Sequence, residues 1–436
     1  METFIILSAI PIMVYLIKTS KESTLGARAV SLLIIMTSMG GVINFEKPIG
    51  GLQGFQPIHF FWVLAFVIVL YESRSSQSAI DSPKFFTIPI FLFIIIYIIG
   101  ILVTATAWPN HTFFKEGFTF SNLIIHEFIV PIQIVITGWM VMRVTAQTHE
   151  NMVIIQKSII FGAIILGLLI AHFYLQRGGS RGGWTTYNVG RDSLAKGFGL
   201  TSNSLAALTV YYCIACILMA EHKSKILQPV SIGFSLMGIV FTFSRMAWYA
   251  IAAVIILIFP KLKWSMRIAL AMLMLLIWQQ LHTQIKNRLQ FGKNKAEYYD
   301  TQSNLDNMLA GRLTGIWKPA MKQIGENPIF GTGIGSRVIG EASGSTHNAY
   351  LGVLLDNGIL GLIIVIVLMV SFLIKFVRTK GPFFYVVIAM LIMGLVGHRF
   401  YPYRGNSIFF ILYGMALADW HRAKISNDKK KIKSKA

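Results

Sequence analysis

Apolar runs long enough to cross a bilayer recur along the chain and dominate what it can fold into. Residues 86 to 106 carry no charged side chain, and Ala349 to Ile374 carry only Asp356. About 20 apolar residues in a helix span the roughly 30 Å of hydrocarbon, and a helix satisfies its own backbone there. Further runs lie at 3 to 17, 28 to 44, 57 to 71, 122 to 142, 152 to 174, 203 to 220, 227 to 243, 246 to 259, 266 to 281, 383 to 397 and 407 to 419. The sequence therefore predicts an all-α polytopic membrane helix bundle of about 12 transmembrane helices. Residues 1–281 and 347–420 supply those helices, 282–346 a long extramembrane loop, and 421–436 a basic tail that reads as disordered. A chain 55% hydrophobic and 13% charged does not fit two or three soluble domains.

Lys and Arg set the orientation. Assigned to alternate loops, 22 fall on one side and 17 on the other, and 8 of the 17 lie in 282 to 346, where a long loop counts little. The richer side, with the tail, is assigned to the cytoplasm, and the long loop to the outside or periplasm. Met1 to Ile17 has no basic n-region and no small-residue cleavage site, so it reads as a retained span or half-span. The net charge of +21 is dispersed among membrane loops without an aromatic-interleaved motif, which argues against nucleic acid and for anionic lipid as the partner of the tail. Cys213 and Cys216 form a C-x-x-C inside an apolar helix with no second pair, and read as helix packing.

Within the long loop, Leu305, Leu309, Leu313, Ile316, Trp317, Ala320 and Ile324 share one helical face, which predicts an amphipathic helix roofing the bundle, bent at Pro319 and ending near Gly325 and Pro328. Arg312 lies on the next face. A packed loop helix without a functional role reads the same stripe equally well.

Several residues carry possible chemistry. Arg245, in FTFSRMAWYA, sits in a turn between two apolar segments. It either snorkels to lipid phosphates or forks a substrate phosphate, since Arg makes always-charged bidentate contacts with phosphate oxygens. The segment QRGGSRGGWTTYNVGRDSLAKGFG reads as an anion-binding loop, with Arg191 the strongest candidate because a helix follows near Asn203. His347 and Asn348 stand at the mouth of the Ala349 run. An isolated His is more often structural, but a helix N-terminus disfavours the imidazolium and favours anions, keeping His347 neutral beside a bound phosphate. His398, Arg399 and Arg404, in GHRFYPYRGNS, belong either to the same polar cavity or to a headgroup belt. His126 and Glu127 read as polar bundle contacts. The outer acidic residues occur singly with no metal motif, so no metal and no cofactor is expected and Arg must neutralise phosphate.

In the order FTFSRMAWYA, GRLTGIWKPAMKQIGENPIFGTGIGS and STHNAYLGVLLDNGILG, the chain resembles the O-antigen ligase and polymerase superfamily over roughly Leu200 to Gly361. The resemblance implies a bacterial inner-membrane glycosyltransferase with a periplasmic helical loop and a site facing the periplasm. It implies transfer of a glycan from undecaprenyl diphosphate, without metal, to lipid A core, to a second lipid-linked glycan or to a protein hydroxyl. By matching positions, Arg245 and Arg312 hold the diphosphate and His347 deprotonates the acceptor. Asn348, Arg191, Arg399 and Arg404 remain substrate-binding candidates without assigned roles. The motifs do not separate ligase from polymerase or from protein O-glycosylation, with ligase favoured. A lipid or glycan transporter is the alternative from another class, and it predicts related halves and a matched pair of broken helices, neither of which the sequence displays.

Overall fold

The structure is a computed structural model that describes residues 22–39, 57–75, 84–107, 124–176, 202–219, 226–242, 244–261, 313–334, 346–395 and 400–433, with isolated positions at 11–18, 264–268 and 397. Among these residues every regular element is a helix. The α-helices are α1 Leu25–Met39, α2 Pro57–Ser75, α3 Ile88–Ala107, α4 Val130–Gln147, α5 His149–Gln176, α6 Ser202–Leu218, α7 Leu227–Phe241, α8 Arg245–Ile258, α9 Lys318–Glu326, α10 Ala349–Phe376, α11 Pro382–Gly394 and α12 Ser407–Lys433. Four spans are long and apolar enough to cross a membrane, Ile88–Thr106, Glu127–Gln147, His149–Phe173 and Ala349–Phe376, and five apolar helices are shorter. The chain is thus a multi-pass membrane protein. The runs expected at 3 to 17 and 266 to 281 lie largely outside the described residues, and each of the others coincides in the main with a helix.

Close helix approach organises the bundle. Among described elements α12 lies along α4, α5 packs between α1 and α7, α6 touches α7, α8 and α11, and α10 lies on α3. At the α4–α12 crossing a Cβ on Gly138 would lie 2.5 Å from the Phe410 carbonyl, and one on Gly414 would overlap the Gly138 carbonyl. Membrane helices gain packing by such small-residue contacts because lipid offers no hydrophobic drive between them. Asn151, fully buried, joins α5 to its neighbours: Nδ2 donates to the Val144 carbonyl at 2.8 Å and Oδ1 accepts from Thr24 N–H at 2.9 Å. Outward, Phe91, Leu102, Ile363, Ile366 and Ile374 are exposed, as a lipid-facing surface requires.

Two π-helical segments, Ile125–Ile129 and Leu313–Trp317, each run into a proline one residue after the next helix begins. Pro131 has no N–H for the Glu127 carbonyl four residues back, and the Tyr97 hydroxyl donates to that carbonyl instead at 2.7 Å. The bend expected at Pro319 takes the same form, with α9 starting at Lys318. The tail departs from expectation, since α12 continues helically to Lys433. A helix already nucleated by its apolar half extends through good helix formers such as Ala and Lys without a new nucleus.

The two ends of the bundle differ. Lys375 lies 4.8 Å from the Trp420 ring, and Arg422 donates to the Thr145 carbonyl at 3.3 Å, so these cations share one end. The N-termini of α6, α8 and α10 lie at the other. The charge-counting assignment of loops to alternate sides had separated the same residues.

Candidate functional site

His347 is held by its neighbours in an unusual backbone conformation. Its φ of +50° lies in the left-handed region, which costs a non-glycine residue about 1–3 kcal/mol unless the surroundings fix it. Thr346, buried before it, accepts the Trp317 indole N–H on its carbonyl at 2.9 Å and donates its hydroxyl to the Asn348 carbonyl at 2.8 Å. After it, Asn348 is the N-cap of α10: its Oδ1 accepts from Leu351 N–H at 3.0 Å, while Nδ2 donates to the Leu395 carbonyl ending α11 at 3.3 Å. The helix therefore enters at Asn348, which acquires a positioning role that sequence reasoning did not give it.

Asn203 connects this turn to Arg245. A Cβ on Gly397 would lie 3.5 Å from the His347 carbonyl oxygen and 3.7 Å from Asn203 Nδ2, so these groups meet over the Gly397 backbone. Asn203 Oδ1 in turn accepts from the Ser244 hydroxyl at 3.0 Å. Ser244 is the N-cap of α8 and Arg245 its first residue, yet the Ser244 side chain makes no capping bond. With its hydroxyl committed to Asn203, Ser244 leaves the first-turn N–H groups of α8 without its side-chain cap, and a helix N-terminus of this kind attracts anions. Three helix N-termini converge here; the carbonyl ends of α7 and α11 reach the same level, and that of α11 is occupied by Asn348.

The long helix α10 is broken beneath His347. At 28 residues it would measure about 42 Å at 1.5 Å per residue, more than the roughly 30 Å of hydrocarbon. Gly358 takes φ +63° and ψ −164°, and the turn segment 327–334 enters the gap. Thr332 N–H donates to the Leu355 carbonyl at 2.8 Å and Gly333 N–H to that of Asp356 at 2.9 Å, while Ile359 N–H donates to the Pro328 carbonyl at 2.9 Å. Irregular backbone survives at membrane depth when neighbouring protein satisfies it this way. The segment is also tied to α3, through Ile334 N–H to the Gly100 carbonyl at 3.0 Å and Thr104 hydroxyl to the Ile334 carbonyl at 2.7 Å. Sequence reading took Ala349 to Ile374 as one uninterrupted span and missed this break. Above it, Ile316, Ala320 and Ile324 bury against Leu355, so the expected amphipathic stripe does pack on the bundle from Leu313 onward.

An apolar groove of about 250 Å³ runs between α3, α4, α10 and the start of α12, walled by Phe93, Tyr97, Phe128, Phe372, Phe400 and Phe409. Phe400 packs edge-on to Tyr350, centroids 4.8 Å apart, in the first turn after His347. A polar turn thus stands at the head of a greasy channel.

His347, Asn348 and the backbone of Arg245 come together, and the Arg404 backbone lies in a turn, Arg404–Asn406, that packs on α6. Arg191, Arg312 and Arg399 lie outside the described residues. Sequence reasoning missed Asn203, Ser244, Thr346 and Trp317 as supports; Ser244, Thr346 and Trp317 stood inside motifs noted for another reason, and Asn203 was noted only as the start of a helix. Residues 230–366, which contain Arg245, Arg312, His347 and Asn348, match the family model described as O-antigen ligase. No curated protein matches the chain.

Proposed function

We propose, from the premise that residues 230–366 carry the O-antigen ligase domain of that superfamily, that the protein is a lipid-linked oligosaccharide ligase. It moves a glycan from undecaprenyl diphosphate to a hydroxyl of lipid A core on the periplasmic face of the inner membrane. The observation that supports this reading is the Ser244–Asn203 hydrogen bond together with the closeness of Asn203 and the His347 carbonyl about Gly397, which bring a base candidate near the helix N-terminus that begins with Arg245.

His347 accepts the proton of the acceptor hydroxyl, whose oxygen attacks the anomeric carbon. The bond from that carbon to the diphosphate oxygen breaks, and its electron pair leaves with the diphosphate. Arg245 and Arg312, aided by the start of α8, stabilise the charge that develops there; preorganised donors in a low-dielectric site are worth most at this step. Arg191, Arg399 and Arg404 border the glycan or acceptor. The polyprenyl chain lies in the aromatic groove, where burial against Phe and Tyr faces replaces contact with lipid. Attack opposite the leaving group inverts the anomeric carbon.

The test is transfer by the reconstituted protein from a lipid-diphosphate glycan to purified lipid A core, without added metal. His347→Ala should lower the rate about 10²–10⁴-fold, the range for loss of a general base. Arg245→Lys should lower it roughly tenfold to a hundredfold, the value of a charge-assisted hydrogen bond. Elongation of the lipid-linked glycan in place of core transfer would make the protein a polymerase. Transfer to protein hydroxyls, or transport without transfer, would replace the reading, and a retained anomeric configuration would end direct displacement.

A further inference from the structure

The tip of the loop that fills the break in α10 presents apolar side chains outward. Ile329 and Phe330 are each 53% exposed, in a turn closed by Gly331 N–H on the Asn327 carbonyl at 2.9 Å. Backbone bonds hold them there. Ile359 N–H donates to the Pro328 carbonyl at 2.9 Å and Leu360 N–H to that of Ile329 at 3.5 Å, while a Cβ on Gly358 would overlap the Ile329 carbonyl. The tip is thus pinned against α10 and has no route by which to fold its two large side chains inward, a costly arrangement in water.

The depth of the tip follows from α10. Ile359 to Phe376 rise about 27 Å at 1.5 Å per residue, close to the roughly 30 Å of hydrocarbon, and Lys375 in the last turn marks the far boundary. Ile359 therefore enters the hydrocarbon near its edge, and its bond to Pro328 sets the tip at that level. Exposure along α10 changes at the same place: Asn357 and Gly358 are buried, whereas Ile359, Leu360 and Ile363 are exposed. Antiparallel to the head of α10, α9 descends to this level. Its approach starts at Trp317, bonded to the Thr346 carbonyl at 2.9 Å, and passes Ile324, buried with Leu355, before the turn. Lys322 is exposed on α9 about 6 Å above its last residue, at the height of the headgroup layer.

We propose that Ile329 and Phe330 are a membrane anchor, inserted among the acyl chains of the leaflet on the His347 side, with Lys322 meeting the phosphates above them. Three observations select lipid as the occupant. The exposed tip continues the lipid-facing stripe of α10 at Ile359, Leu360 and Ile363, it lies at hydrocarbon depth, and its cation stands on the water side, where lipid phosphates are. The anchor fixes the lower end of the element whose upper end holds Thr346 through Trp317, so the bilayer takes part in placing His347. This contact is independent of the substrate that His347 serves.

Phe330→Cys, with Ile329→Cys as a second site, is made in the full chain, labelled with a nitroxide and reconstituted in vesicles of dioleoylphosphatidylcholine and dioleoylphosphatidylglycerol. Cys213 and Cys216 are fully buried and escape the label. Power saturation reads collisions of the label with oxygen and with a polar nickel chelate. The references are Ile363→Cys on the lipid-facing stripe and Gly325→Cys, where a side chain meets nothing within 4 Å. At 329 and 330 the ratio of oxygen to chelate collisions should match that of Ile363→Cys and exceed that of Gly325→Cys about tenfold, because hydrocarbon excludes the polar chelate. A ratio equal to that of Gly325→Cys would place the tip in water and overturn the proposal. Shielding from both reagents would mean that protein covers the tip, a second copy if diluting the protein in the vesicles restores the collisions, and would overturn it as well.

Discussion

Gly358→Ala tests whether the break in α10 supports the site. At φ +63° and ψ −164° the position lies where only glycine is comfortable, and an alanine there carries about 1–3 kcal/mol of strain. Its Cβ would also overlap the Ile329 carbonyl and come within 2.7 Å of Phe330 N. The helix can escape only by straightening, which gives up four backbone bonds to segment 327–334 and that of the Thr332 hydroxyl to Leu355 at 3.1 Å. At about 1 kcal/mol net each those five bonds set an alternative cost near 5 kcal/mol, so the variant should lose about 2–4 kcal/mol. Gly352→Ala, six residues earlier in the same helix, meets only Thr346 Oγ1 at 3.2 Å and should gain up to about 1 kcal/mol of helix propensity. Hydrogen exchange at Thr332, Gly333 and Ile359 should speed up about 10²-fold in Gly358→Ala, with glycan transfer lost, while Gly352→Ala keeps both. Wild-type protection and transfer in Gly358→Ala would refute the claim that the break holds the site.

Other substitutions separate strain, capping and packing. His347→Gly removes the left-handed penalty, so thermal stability should hold or rise by about 1 kcal/mol while transfer disappears; parallel loss of both would mean the side chain is structural. Asn348→Asp keeps an N-cap acceptor but loses the donor to Leu395, and Asn348→Ala loses both, so unfolding should rank wild type, Asp and then Ala, with the Ala variant down about 1–2 kcal/mol. Gly414→Val puts bulk where even a Cβ overlaps the Gly138 carbonyl, and should lower the unfolding midpoint and yield, whereas Gly233→Val, with nothing within 4 Å, should leave both unchanged by the same assays.

Hydropathy made the helices legible because lipid forces each apolar run to satisfy its own backbone, leaving one choice of secondary structure. His347 at a helix mouth was legible for the same reason, as the boundary of the Ala349 run. The break at Gly358 was not: Asn357 and Gly358 interrupt apolar sequence too briefly to alter its average, and the segment that fills the gap lies some 25 residues earlier in the chain. The glycines of PIFGTGIG could be seen, but their use depends on contact with Asp356 and Thr104, a tertiary fact. Asn203 was hidden similarly. Its neighbours Ser244 and Gly397 lie 41 and 194 positions away, and no local pattern announces such a bridge.

The break has a mechanical meaning that follows from lengths. Ile359 to Phe376 alone measure about 27 Å as a helix, close to the hydrocarbon thickness, so the part of α10 from Ala349 to Asn357 extends past it. A nine-residue helix is marginal by itself, and its position is set by what packs on it. That packing comes from Ile316, Ala320 and Ile324 on one side and from the Asn348 bond to α11 on another. His347 is therefore placed less by the membrane helix it precedes than by the loop that crosses above it. The same loop includes Arg312 in its sequence, so docking of 313–326 links the proposed base and a proposed diphosphate ligand through one element. A donor held by Arg312 would thus bear on the same element that, through Trp317 and Thr346, positions His347.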